Sequence, residues 1–203
     1  MYIRERVGKS SFESIIFYAT QTGNTKDIVK HMAEVLESDI SDINKIAYPE
    51  IEKFNLIGFA SGIYDGEIDK RLREVMEKME FRDDQYVFIA LTHSKSLSDR
   101  YVKQLGKIFT DKGVNYIGCV DVLAADRKGN AGFLGRAASS HPVDSDYYKV
   151  ENYAVDAMWL VNRMLGNTEF ENEITAVSDR KMKLPIDMTG IMPKFMKNIH
   201  IDP

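Results

Sequence analysis

The sequence predicts an α/β domain with a five-stranded parallel sheet, doubly wound, carrying helices on both faces. Three observations carry this. Short unbroken apolar runs recur along the chain, segments with apolar residues at helical spacing follow them, and glycine-rich or polar stretches punctuate the series. An apolar run without polar alternation marks a strand covered on both faces, as parallel strands are. Strand–helix alternation then demands crossovers of one hand, which places helices on both sides of the sheet.

The elements follow in order. Residues 14–18 (Ser-Ile-Ile-Phe-Tyr) form the first strand, and Ile28, Val29, Met32, Ala33 and Leu36 give the next segment its helical stripe. Residues 39–43 make a short second strand, and residues 56–60 a third buried run. A charged helix spans 69–79, a fourth strand 86–91, and a helix 99–111 stopped by Gly113. The fifth strand is 116–123. Residues 124–145 read as a long loop, and 146–165 as a final helix ended by Gly166. In such folds a ligand sits beyond the carboxyl ends of the strands, so the loops opening at 19, 61, 92 and 123 are the ones to inspect.

Composition narrows the function. With 203 residues, 44% hydrophobic and 29% charged, the chain has enough material for one well-packed domain and an extension. Its net charge of -4 disfavours nucleic acid as a partner. Residues 1–14 hold Arg4, Glu5, Arg6 and Lys9 without an apolar segment, unlike a signal peptide, and no run approaches the ~18 apolar residues of a membrane span. A single cysteine, Cys119, forms no internal disulfide. A cytoplasmic protein without membrane partners is expected. The histidines and Cys119 show no metal-ligand spacing, and neither a nucleophile elbow nor a carboxylate pair stands out; no metal ligands and no catalytic side chains are assigned.

The loop after the first strand carries the chemistry. Thr20-Gln21-Thr22-Gly23-Asn24-Thr25 opens the first helix. A helix N-terminus favours an anion, three threonine hydroxyls and an asparagine amide add donors, and Gly23 permits close backbone approach. The absence of a lysine suits a terminal monophosphate rather than a triphosphate. An ordinary helix cap needs one such residue; five in six positions exceed that need.

Residues 16–25 resemble the phosphate-binding signature of the flavodoxin family, Thr/Ser-x-Thr-Gly-x-Thr after a buried strand, at all four fixed positions. Residues 58–66 are similar to the family's loop over the flavin ring. Ser140-His141-Pro142 resembles the turn that opens its last helix. The resemblance spans about 14–165. It implies the strand order 2-1-3-4-5, a non-covalent FMN as cofactor, and ring contacts from Ser61, Gly62, Ile63, Tyr64, Asp65 and Gly66 on one side and Thr92, His93 and Ser94 on the other. Tyr64 would stack on the ring or serve as a surface turn residue. His93 would donate to the flavin or remain a solvated loop histidine. Family members often place Trp near position 63; here the aromatic is displaced to Tyr64.

The resulting expectation is an electron-transfer protein that passes electrons between redox protein partners through one FMN. The alternatives are an FMN-dependent NAD(P)H:quinone-type oxidoreductase and a partner-binding module without FMN. The domain plan is an N-terminal extension (1–13), the FMN domain (14–166) and a C-terminal extension (167–203). The last is rich in Ile, Met and Phe and is expected to pack on the domain or on a second subunit of a homodimer.

Overall fold

Strand propensity and burial coincide along the middle of the sheet. The computed structural model describes residues 11–47, 49–95, 97–125 and 141–167. Strands β1 (Ser14–Ala19), β3 (Leu56–Gly62) and β4 (Tyr86–His93) are buried at every position. Strands β2 (Asp39–Asp42) and β5 (Asn115–Leu123) flank them and are partly exposed. The order is β2-β1-β3-β4-β5, with every neighbouring pair parallel. The predicted doubly wound sheet and its order are therefore present.

The two-residue period of a strand divides the core. Ile16 and Tyr18 of β1 pack with helices α1 (Asn24–Leu36) and α4 (Asp144–Met164). Ile15, Phe17 and Ala19 face the opposite side, with α2 (Lys70–Lys78) and α3 (Asp99–Thr110). The second layer is aromatic at its centre, where Phe59 stacks at 5.3 Å on Phe109 and lies 5.9 Å from Phe17.

Element boundaries differ from the sequence pattern in an informative way. β1, β3 and β4 extend past their apolar runs to Ala19, Gly62 and His93. The ladder is made by backbone groups, so it continues through polar residues, pairing Ser61 with Leu91 and Gly62 with Thr92. Ser61, Gly62, Thr92 and His93, expected in loops, thus stand on strand ends. The second strand stops at Asp42, and Ile43–Lys45 form a 3-10 turn instead. β5 carries an inserted residue, since Val87 faces Tyr116 but Phe88 faces Gly118. Helix α4 starts at Asp144, two residues earlier than its apolar stripe shows, because its first turn is acidic. The expectations for residues 1–10, 126–140 and 168–203, the packing of the C-terminal extension among them, lie outside the described residues.

Candidate functional site

Helices α2 and α3 start on side-chain caps, and α1 does not. Asp69 caps α2 by accepting from the Arg71 and Leu72 amides, and Ser98 caps α3 by accepting from Tyr101 N. Helix α1 has no side-chain cap; it begins on Gly23 in the left-handed region, φ 93°. The residues offered as an ordinary cap do other work. Thr20 Oγ1 accepts from Gly23 N at 2.9 Å and shapes the loop. The first turn of α1 therefore keeps its partial positive charge for another acceptor.

A cavity of about 620 Å³ opens at the carboxyl ends of the strands. That lies within the ~300–1,000 Å³ of small-molecule and cofactor sites. Five segments line it. Gln21, Thr22 and Asn24 come from the first loop and the start of α1; Gly62 ends β3 and Ile63, Tyr64, Asp65 and Gly66 follow it; Thr92 and His93 end β4, with Ser94 and Lys95 after them; Leu97, Ser98 and Tyr101 come from the start of α3; Ala124 and Ala125 follow β5. Of the residues singled out in the sequence, Thr20, Gly23, Thr25 and Ser61 do not line it. They support it instead. Thr25 Oγ1 lies 2.9 Å from Thr92 Oγ1, both buried. Ser61 Oγ donates to Gly62 O at 2.7 Å and accepts from Asp69 N at 3.0 Å.

Asn24 holds the first loop to the last. Its Nδ2 donates to Ala125 O at 2.7 Å, so this amide ties two walls of the cavity together. Its Oδ1 is sealed from solvent and has no hydrogen-bond partner among the described residues. A buried amide oxygen without a donor is costly, which marks the site as one that a donor-bearing ligand would complete.

The loop after β3 is a tight two-residue turn. Tyr64 and Glu67 exchange backbone hydrogen bonds of 2.8 and 3.0 Å around Asp65 (φ 51°) and Gly66 (φ 89°). Positive φ at both centres is the geometry of a type I′ turn, for which Asp-Gly is a preferred pair. Ile63 N donates to Thr92 O at 2.8 Å, so the flanking loops are tied at their base. The Tyr64 ring folds back over Gly62, and Tyr64 OH accepts from Gln21 N at 2.8 Å. An oxygen thus already receives a hydrogen bond from the first loop's backbone.

Gly62 is required by this arrangement, since a Cβ there would stand 2.4 Å from Tyr64 Oη. Gly62→Ala is accordingly expected to drive Tyr64 off and release the Gln21 amide, with at least tenfold faster hydrogen exchange at Gln21. Unchanged exchange would show that the ring relaxes in place.

Tyr101 and Asp121 were not singled out in the sequence. Tyr101 of α3 lines the cavity, accepts from Ile68 N at 2.8 Å and lies 3.0 Å from Glu67 Oε2, while Arg73 bonds to that carboxylate. This clamp braces the turn from outside. Asp121 of β5 reaches His93 Nε2 at 2.8 Å. The available signal for Asp121 was a carboxylate between Val120 and Val122 in an apolar run. Cys119 is half-buried on the same edge strand, and burial pushes its thiol up to about 12, so it stays protonated. Among the described residues no group of three or more His, Cys, Asp or Glu side chains is arranged to hold a metal, and no helix is long and apolar enough to cross a membrane.

A parallel sheet of this order, with an uncapped helix N-terminus opening into a cavity at its carboxyl edge, defines the flavodoxin-like class of α/β proteins. Residues 15–113 match the flavodoxin domain family, and the chain carries the flavodoxin-like fold. It is 26% identical over 140 residues to an uncharacterized protein of Methanocaldococcus jannaschii, covering 69% of this chain and 93% of that one. Flavodoxin 2 of Bacillus cereus superposes with a TM-score of 0.55 at 15% identity, over 70% of this chain and 95% of the other. The rubredoxin:oxygen oxidoreductase of Desulfovibrio gigas gives 0.59 at 12% identity over 81% of this chain, which spans only 39% of that protein. At these identities the structural likeness speaks to the fold.

Proposed function

We propose that the chain binds FMN in this cavity and serves as an electron-transfer protein between redox partners. The observation that carries the reading is the uncapped start of α1 facing a cavity whose first-loop amide already serves an oxygen acceptor. The donor set is neutral, with backbone amides and the Thr22 hydroxyl, and it suits a monophosphate. The loops after β3 and β4 would hold the planar ring, with Tyr64 swinging from Gln21 to cover one face. The flavin, when bound, supplies reversible one- and two-electron chemistry; the protein supplies binding, orientation and electrostatics. The match of residues 15–113 to the flavodoxin domain family and the flavodoxin-like fold support this reading.

Titration of the flavin-free chain with FMN, FAD and riboflavin tests it. FMN is expected to bind tightest, with riboflavin weaker by at least ~1.5–3 kcal/mol, the value of a hydrogen bond to a charged group. Riboflavin binding as tight as FMN would remove the phosphate loop from the reading. Steady NAD(P)H oxidation by the isolated holoprotein would reassign it to the oxidoreductase class. A protein that binds none of the three flavins would leave the fold as a partner-binding module.

A further inference from the structure

Two walls of the cavity meet at one side chain. Tyr64 Oη accepts from Gln21 N at 2.8 Å, and the hydroxyl end of the same ring lies on Gly62, the last residue of β3. The fit over Gly62 is close, since a Cβ placed there would stand 2.5 Å from Tyr64 Cζ. Gln21, Gly62 and Tyr64 all line the cavity. A backbone amide has one hydrogen to donate. An anionic ligand oxygen that takes Gln21 N must therefore displace the phenol, and a planar group laid on Gly62 must displace the ring. A tryptophan in this place could not make the contact, because an indole N–H only donates, whereas a phenol oxygen accepts.

The backbone beneath Tyr64 is held from two sides. Tyr64 N and O are both bonded to Glu67, and Ile63 N donates to Thr92 O. The Glu67 carboxylate is held in turn by Arg73 and by Tyr101 Oη. The freedom that remains is rotation of the Tyr64 side chain between staggered positions. Tyr64 is half-buried, and Asp65 and Gly66 next to it are exposed, so a displaced hydroxyl reaches water. The phenol also serves the first loop incompletely. It satisfies Gln21 N, while Asn24, 2% exposed at the start of α1, keeps Oδ1 without a donor among the described residues. We propose that Tyr64 is an internal competitor of the ligand: its oxygen takes the phosphate's place at Gln21 N, its ring takes the place of the planar group over Gly62, and the cavity opens by the swing of this one side chain. Every ligand of the cavity must first break the Tyr64–Gln21 contact, so the contact lowers the apparent affinity for all of them.

The inference rests on the FMN reading and adds what the ligand must displace. Tyr64→Phe keeps the ring and removes the acceptor. In the full, flavin-free chain, amide hydrogen exchange at Gln21 is expected to speed up about tenfold in this variant, the upper end of what one net hydrogen bond supplies. FMN and inorganic phosphate, titrated separately, are each expected to bind the variant tighter by a similar factor, since a phenylalanine ring still packs on a planar ligand. A gain in affinity is a readout that damage to the fold does not produce. Unchanged exchange at Gln21 would overturn the contact as a latch. Faster exchange with equal or weaker FMN binding would overturn the competition. A gain for FMN without one for phosphate would overturn the phosphate half of the proposal. A chain that binds neither FMN nor phosphate, in wild type and variant alike, would defeat the FMN reading and the competition with it.

Discussion

Phe59→Ala is expected to destabilise the protein by about 3–5 kcal/mol, the usual cost of deleting a fully buried phenylalanine. Phe59 is 0% exposed at the centre of β3, paired across the sheet with Phe17 and Ile89. Its ring stacks on Phe109 at 5.3 Å and meets the edge of Phe81 at 6.5 Å, so the removed atoms face three other aromatic rings. None of these can collapse into the gap without leaving its own contacts on α3 or β1. The loss is a large share of the ~5–15 kcal/mol that holds a domain together. At about 2–4 °C per kcal/mol for a chain of this size, the melting temperature should fall by roughly 6–20 °C. Thermal denaturation followed by circular dichroism measures it. A shift within 2 °C would mean that the layer between the sheet and α2–α3 is far more plastic than its packing shows.

That layer could be read from the sequence because burial dictates residue type there. Each of β1, β3 and β4 needs apolar residues on both faces, and few other patterns give Ser-Ile-Ile-Phe-Tyr, Leu-Ile-Gly-Phe-Ala and Tyr-Val-Phe-Ile-Ala-Leu. The strand ends were less legible because backbone pairing carries no composition; Gly62 and His93 look like loop residues until their ladder partners are known. The phosphate loop was legible as a donor-rich helix start. The division of labour inside it was not, because a threonine hydroxyl can face a ligand, an amide or another threonine with the same letter in the sequence. Thr20 supports Gly23, and Asn24 reaches a residue 101 positions away. The His93–Asp121 pair joins two strands 28 residues apart through one side-chain contact, and nothing in local periodicity reports such a pairing.

Thr25 shows how that division changes an expected result. On sequence alone Thr25→Val keeps the side-chain shape and should alter only FMN affinity. In the structure Thr25 is 1% exposed and its hydroxyl pairs with that of Thr92, 4% exposed, at 2.9 Å. One threonine must donate and the other accept, which leaves one hydrogen of the pair for a further acceptor, such as a ligand oxygen. Either single change to valine strands the remaining hydroxyl in a dry position, at a cost of about 1–3 kcal/mol in stability. The double change removes both polar groups together and should cost less than the sum of the two, with a coupling of about 0.5–3 kcal/mol. Urea denaturation of the four proteins closes this cycle. Additive losses would mean that the hydroxyls do not depend on each other. FMN affinity supplies the second axis. The spare hydrogen that can reach a ligand belongs to Thr92, which lines the cavity as Thr25 does not. Thr92→Val should therefore lose about tenfold or more in affinity, since ~1.4 kcal/mol corresponds to a factor of ten. Thr25→Val, which removes only the support behind that hydroxyl, should lose less. A larger loss in Thr25→Val would place the ligand contact on Thr25 instead. An unchanged affinity in both would confine this pair to joining the start of α1 to the end of β4.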